Sequence, residues 1–369
     1  MIKIWTPPLT LFSYLAKNYI IKILIALLVL ICLITFIDVI EFLRKAGERQ
    51  IEISLLKVIS ITLLKIPSQL DNLLPFSVIF GSITCFYLWN KNNEFLQART
   101  SGQNIWQAIS PVIFSLTAIG LINIIINNPI AATTIKQHDF LLSSLFGKKS
   151  VNEMSISTSG IWIRDTKIDY DLFINGDQLE LNDAIIKNPT VYHLQKNGQL
   201  TWRMQAKQIS LTNGGWIINN AIKTENSGLT SKLGNIIIPT EMDPSDLSES
   251  NRSAKTINVY RLPNFINVLE KAGLPADKHK VLLHQIISTP FKLIGLAILT
   301  ASFTLIKFSR KTEVKLIFLS MVISFGFYFL SDLIYILGNS AKIPYLLAGW
   351  GPSLIICAFG GFFLARVDE

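Results

Sequence analysis

Six stretches of the chain read as membrane spans, each near or above the about 20 apolar residues that cross a hydrocarbon layer. Residues 14–37 are apolar but for Lys17, Asn18 and Lys22 near their start. They are too long for the apolar part of a signal peptide and no A-x-A site follows, so they form an uncleaved first span. Residues 55–88 would make a helix of about 51 Å at 1.5 Å per residue, and Lys57, Lys65, Pro67, Asp71 and Pro75 crowd its first half. The lipid-buried part is expected at 66–88, behind a helical or interfacial extension. The charge-free run 105–126 is the third span, and 281–306, 316–337 and 343–365 supply three more. Between the third and fourth the period changes. Segments 154–163, 168–174, 190–196, 200–206 and 216–222 carry β-branched and aromatic residues between turn residues. Asn197-Gly198 marks a hairpin, and Asn213-Gly214-Gly215 precedes the last of these strands. So many short strands predict a sandwich or jelly roll. A mobile linker is expected between Glu241 and Ser253, rich in Asp, Ser, Pro and Asn, and a short amphipathic helix at 259–271.

The expected fold is an α+β membrane protein with six transmembrane helices, three on each side of an inserted β-jellyroll-like domain. Its parts are 1–129, with a polar inter-span segment at 91–104, the β domain at 130–258, and 259–369 with a connecting helix and the last three spans.

Composition agrees. Half of the 369 residues are hydrophobic, 16% are charged, and mean hydropathy is +0.42, where soluble proteins carry about a quarter charged residues. The net charge is +9. Residues 130–284 hold 17 basic and 15 acidic side chains, so +7 lies elsewhere, mostly in short segments beside apolar runs. With the N-terminus inside, nine basic residues (Lys3, Lys17, Lys91, Arg99, Lys307, Arg310, Lys311, Lys315, Arg366) are internal, against Arg44, Lys45, Arg49, Lys57 and Lys342 in short outer loops. That bias places both termini in the cytoplasm and the insert outside it. No basic stripe interleaves with aromatics, which argues against nucleic acid. Cys32, Cys85 and Cys357 all fall within spans and are expected to be free thiols.

Nothing resembles catalysis. His193 has no nucleophile or metal ligand at a recognisable spacing and is expected as an exposed strand histidine. Gly147-Lys148-Lys149-Ser150 lacks the upstream glycine of a phosphate loop. Without a Walker A motif the chain is not the ATPase of any pump it serves, and no cofactor is expected.

Some residues invite a functional reading beside an ordinary one. In the segment beginning at Glu94, a helix would put that carboxylate at the positive end of the dipole and turn Phe95 and Leu96 to an apolar groove. The ordinary reading is a solvated loop in which Arg99 sets topology. Asp38, Arg44 and Lys45 lie where the first span meets the outer surface, and a basic pair there can fork onto a lipid phosphate or simply anchor the helix. Glu41, Glu48 and Glu52 are close enough in sequence to neutralise it. Lys292 and Asp332 are ionisable groups inside spans, where each costs several kcal/mol and normally faces protein or water; they are expected to share a lipid-binding cavity and pair, with Lys292 also able to contact lipid phosphate, against a snorkelling lysine and a capped aspartate. Lys65 and Asp71, flanking Pro67, read as interfacial snorkelling. In the insert, Ile161, Ile163, Leu172, Ile174, Val191 and Trp202 either line a groove between sheets or form a closed core.

Topology and motifs together resemble the lipopolysaccharide-export permeases of the LptF/LptG type, over nearly the whole chain and more like the LptG branch. Phe36-Ile37-Asp38 followed by Arg44-Lys45-Ala46-Gly47 resembles the end of that family's first span. The run from Glu94 to Gly102 resembles its cytoplasmic coupling segment, Ser159-Gly160-Ile161-Trp162-Ile163-Arg164-Asp165 its Gly-x-Trp strand, and His284, Pro290 and Asp332 its fourth and fifth spans. Gln285 and Ile286 replace basic residues expected after the histidine. The resemblance implies a homologous six-span partner (LptF-like), a cytoplasmic ATPase dimer (LptB-like) that binds the ATP, a periplasmic jellyroll bridge (LptC- or LptA-like), and lipopolysaccharide drawn from the bacterial inner membrane. Two other classes fit the spans: an ion-coupled secondary transporter with Asp71, Lys292 and Asp332 as proton relay, and a membrane-tethered envelope scaffold.

Overall fold

The structure, a computed structural model, describes residues 9–100, 102–146, 153–157, 160–166, 169–180, 184–212, 215–226, 228–240, 257–271, 276–305 and 310–368. Lys3, the 147–150 stretch, Ser159, 213–214, the 241–253 linker and Lys307 lie outside them.

The first span is one helix, α1, Leu9–Glu48, about 60 Å long and so longer than a bilayer core. No glycine or proline interrupts it before Gly47, and i,i+4 pairs Glu41–Lys45 and Arg44–Glu48 carry it past its apolar stretch. Gln50 in the left-handed region (φ 53°) ends the excursion. The expected extension of the second span is a separate helix, α2 (Leu55–Leu63), capped by the Ser54 hydroxyl. It is followed by α3 (Ile66–Lys91), with Pro67 in its first turn, where its missing N–H is harmless. A short helix α4 (Glu94–Thr100) precedes α5 (Ile105–Ile122), which opens on a reciprocal Asn104–Gln107 capping box.

The third span runs past its expected end at 126. A π-helical turn, Asn123–Asn127, joins α5 to α6 (Asn128–Phe146). Pro129 lacks an amide and crowds the carbonyl four residues back, and the widened turn accommodates that without breaking the run. The later helices are α7 (Leu262–Lys271), α8 (Asp277–Thr304), α9 (Arg310–Asn339) and α10 (Tyr345–Asp368).

Two compact units result: residues 1–139 with 280–369, and residues 140–279. The described residues contain six helical runs long and apolar enough to cross a membrane, beginning at Thr10, Ile66, Ile105, Asp277, Val314 and Tyr345. In the first unit α3, α5 and α8 supply most of a core that includes Phe86, Trp89, Leu116 and Leu296. Close approach relies on small residues, as lipid-embedded helices require. A Cβ on Gly81 of α3 would lie 2.9 Å from Ile23 Cα of α1, and one on Gly295 of α8 2.9 Å from the Cys357 nitrogen of α10. The three cysteines are free.

The second unit holds two antiparallel sheets, a seven-stranded one ordered β1-β2-β3-β6-β7-β10-β11 and a five-stranded one ordered β12-β9-β8-β5-β4. The larger comprises β1 (Glu153–Ser157), β2 (Gly160–Thr166), β3 (Tyr170–Gly176), β6 (Thr190–Gln195), β7 (Leu200–Gln205), β10 (Ile222–Glu225) and β11 (Thr230–Lys232). The smaller comprises β4 (Gln178–Glu180), β5 (Ile185–Lys187), β8 (Gln208–Thr212), β9 (Gly215–Ile218) and β12 (Ile236–Ile238). Two expected strands are divided. Segment 154–163 is a hairpin in which Ser157 faces Gly160, and 216–222 breaks at Asn220 (φ 53°), sending β9 and β10 to different sheets. Alternation turns Ile161, Ile163, Leu172, Ile174, Val191 and Met204 inward on the large sheet, and Leu179, Ile186, Ile209, Leu211, Trp216 and Ile218 on the small one; all are buried. The Trp216 indole N–H donates to Asp165 Oδ2 at 3.2 Å, bridging the sheets.

Candidate functional site

Four groups of residues are placed by these elements. The first is α4. Phe95 and Ala98 are buried in the core of the membrane unit, while Leu96 is half exposed. Phe95 therefore holds the helix down and leaves Leu96 as the apolar side chain facing outward. Glu94 starts the helix, and its Oε1 accepts from the Tyr14 hydroxyl and from Asn92 Nδ2, both at 3.4 Å. Arg99 is partly buried, and Gly102 follows in the left-handed region (φ 88°) with open space around it. Tyr14 belongs to α1, so the segment is tied to the first span as well as to the second.

The second group is the far end of α1. Lys45 Nζ donates to Glu41 at 2.5 Å and Arg44 to Glu48 at 3.4 Å, both pairs well exposed. Asp38 is occupied from α3 and its preceding turn: Lys65 Nζ donates to Oδ1 at 3.0 Å and Gln69 Nε2 to Oδ2 at 2.7 Å. Lys65 is thus a cross-helix partner, not a snorkelling side chain. Asp38 belongs to the α1–α3 seam, whereas Arg44 and Lys45 stand beyond it with only local partners.

The third group lies inside the membrane unit. Lys292 of α8 is 5% exposed, its ammonium 5.3 Å from the centre of the Tyr335 ring of α9. Asp332, one turn before Tyr335, is exposed, and among the described residues no ion pair joins it to Lys292. Asp71 of α3 and Asp332 are the carboxylates whose charge reaches Lys292. Asp71 is not interfacial either: Asn123 Nδ2 donates to its Oδ1 at 2.7 Å, and Asn127 Nδ2 donates to Asn123 Oδ1 and to the Pro67 carbonyl, each at 3.0 Å. The π turn brings these two amides onto one ladder against α3. Asn123, Asn127 and Tyr335 were missed from sequence. Two amides four residues apart within an apolar run were the available signal.

The fourth group is the β domain. Ile161, Ile163, Leu172, Ile174 and Val191 are no more than 1% exposed, so they pack as a closed core. Trp202 lies on the same face of the large sheet but is only half-buried. His193 is likewise half-buried, not exposed. Its ring stacks between Tyr170 (4.4 Å) and Trp202 (4.9 Å), and burial holds its pKa below the ordinary imidazole value, assisted by Lys223. On the opposite face Asp171 accepts from Lys196 at 2.6 Å and Arg164 at 2.8 Å. Burial pushes that carboxyl upward, but the two cations outweigh it and hold it below the usual range.

Among the described residues no group of His, Cys, Asp and Glu is disposed to hold a metal ion. None of the curated proteins matches the chain. Residues 13–366 match a family model described as lipopolysaccharide export system permease LptF/LptG, which covers both branches jointly. With nearly the whole length matched, and with six candidate spans and a strand-built insert in the order that family resemblance implied, the chain belongs to the LptF/LptG family of lipopolysaccharide export permeases.

Proposed function

We propose that the chain is one of two homologous six-span subunits, its partner LptF-like. Together they extract lipopolysaccharide from the outer leaflet of the bacterial inner membrane and pass it to a periplasmic jellyroll bridge of the LptC or LptA kind. ATP is bound and hydrolysed by a separate LptB-like dimer, so this subunit performs no bond chemistry of its own. Both termini lie in the cytoplasm and the β domain in the periplasm, as the basic-residue bias supports.

The observation that carries this reading is the tether from α4 to α1. Glu94 of the short helix bonds Tyr14 at one end of the first span. The same span is held to α3 through the buried Tyr19–Ser82 hydrogen bond (2.7 Å) and, at its other end, through Asp38. A partner that seats on Leu96 and moves α4 therefore moves the body of α1. At the far end of that span Arg44 and Lys45, once released from their exposed partners Glu48 and Glu41, offer a planar fork and a point charge to lipid phosphate. Lys292 and Asp332 would meet cargo only as the spans part.

A cytoplasmic ATPase and a second six-span protein should co-purify with the chain from a non-denaturing detergent. Glu94→Lys combined with Leu96→Asp should reduce lipopolysaccharide export by about tenfold or more while the six-span subunits remain associated, since a reversed charge and a polar anchor remove both contacts. Undiminished export in that double variant would overturn the coupling role of α4. Proteolysis of intact spheroplasts should remove the β domain, and its protection there would overturn the orientation.

A further inference from the structure

The inner face of the seven-stranded sheet changes character along its strands. At one end it is aliphatic and closed. One inward position further along β3, β6 and β7 it carries Tyr170, His193 and Trp202, stacked at interplanar angles of 29° and 25°. A wide-mouthed concavity of about 440 Å³ opens beside this ladder, lined by Asp169, Tyr170, His193, Gln195, Lys196 and Asn197. A register shift after His193 and the Asn197-Gly198 turn shape its rim.

The described lining disfavours two ligand classes. An acyl chain needs aliphatic walls, and none of the described lining residues is aliphatic. A phosphate needs an uncommitted cation. Lys196 is held by Asp171 at 2.6 Å, Lys223 is held by Glu225 at 3.0 Å while it lies over Trp202, and the exposed Asp169 carboxylate repels anions. His193, neutral by burial, adds no charge. A neutral polyhydroxylated ring remains. Its hydroxyls match the exposed Asp169 carboxylate and the Gln195 and Asn197 side chains, whose mutual hydrogen bond is long at 3.4 Å, beside His193 Nδ1, a buried atom with no hydrogen-bond partner among the described residues. Its C–H surface matches the electron-rich face of an aromatic ring. We propose that this end of the sheet is a saccharide-binding site for pyranose rings of the glycolipid headgroup. It deepens the export reading above and rests on it for the identity of the cargo, with the aliphatic core next in line along the same face.

The test uses the full-length chain in lipid nanodiscs, which avoids glycoside detergents, and a deacylated, dephosphorylated core oligosaccharide of lipopolysaccharide as probe. Ligand-observed saturation transfer should detect binding to the wild type. Tyr170→Ala should weaken it by about tenfold and Tyr170→Phe by less than about threefold. The exposed-residue variants Asp169→Ala and Gln195→Leu, which remove only rim hydrogen bonds, should each weaken it by about two- to tenfold. No binding to the wild type, equal binding to all four variants, or displacement of the probe by inorganic phosphate or decanoate would overturn the site. The probe needs neither acyl chains nor an ATPase. Export without saccharide binding therefore sinks this inference alone, whereas saccharide binding by a chain that exports no lipopolysaccharide sinks the export reading.

Discussion

Helices α1 and α8 both qualify as membrane spans, yet they are opposites. The best window of α1 has a mean hydropathy of 3.2 and is 6% buried; that of α8 has 1.6 and is 72% buried. The more apolar helix lies outside and the more polar one inside. In water this would be inverted. In lipid the solvent is itself apolar, so Leu24, Leu28, Leu33 and Phe36 of α1 stay exposed to it, while α8 gathers Ser288, Lys292, Thr300 and Ser302 into the protein interior. The charges follow the same rule. Arg44 and Lys45 at the far end of α1 are exposed and paired within one turn, whereas Lys292 is enclosed against the Tyr335 ring of α9.

The sharpest way to break that contrast is at Asp71. Asp71→Leu strips Asn123 of its acceptor and removes one of two carboxylates acting on Lys292. An amide stripped of its acceptor costs about 1–3 kcal/mol, and the less compensated Lys292 ammonium adds to that, so the variant should lose most of its monodisperse yield in detergent. Adding Lys292→Met should recover the ammonium's share of that loss. An Asp71→Leu protein as stable as wild type would mean that α8 is positioned by packing alone. A smaller effect is expected at Gly81, where α1 meets α3. A leucine there drives its Cβ into the Ile23 backbone, an overpacking worth about 1–3 kcal/mol. The yield of bis-maleimide cross-linking between cysteines placed at Tyr19 and Ser82 should fall in that background while the α8–α10 contact stays intact. Unchanged yield would show that α1 is held by something other than this seam.

Part of this was legible in sequence and part was not. Six apolar runs and an Asn197-Gly198 hairpin are local signals, and the structure follows them. The long third helix was hidden because Asn123, Asn127 and Pro129 look like a terminus; a π turn takes in the two asparagines and the helix resumes through Pro129. Exposure of α1 was also out of reach, since its apolar stretch runs around the helix and no periodic stripe marks an inward face, whereas Ser288, Lys292, Thr300 and Ser302 were the available signal for burial of α8. The Lys65–Asp38 contact joins residues 27 apart, and only packing of α3 on α1 discloses it. In the β domain Ile161, Ile163 and Trp202 were recognisable as inward candidates, but the place of His193 beside Trp202 required the strand register. The same alternation puts them on that face, one position beyond the closed core.

The smallest structural effect, and the most telling contrast with Lys292, is expected at Arg44 and Lys45. Both are exposed, each holds only a neighbour one turn away, and pairs of that kind contribute little in solvent. Replacing both by glutamine should leave the melting temperature of the detergent-solubilised protein where it was. Export is another matter if the pair meets lipid phosphate. Lipopolysaccharide carried by the purified protein should then fall severalfold, and the difference from wild type should shrink as added salt screens exposed charge over about 10 Å at 0.1 M. Glu41→Gln supplies the opposing arm: it releases Lys45 from its internal partner and should raise lipid retention. If the glutamine pair retains lipid as wild type does, then α1 bears these cations only as interfacial anchors, and recognition of the headgroup lies elsewhere on the chain.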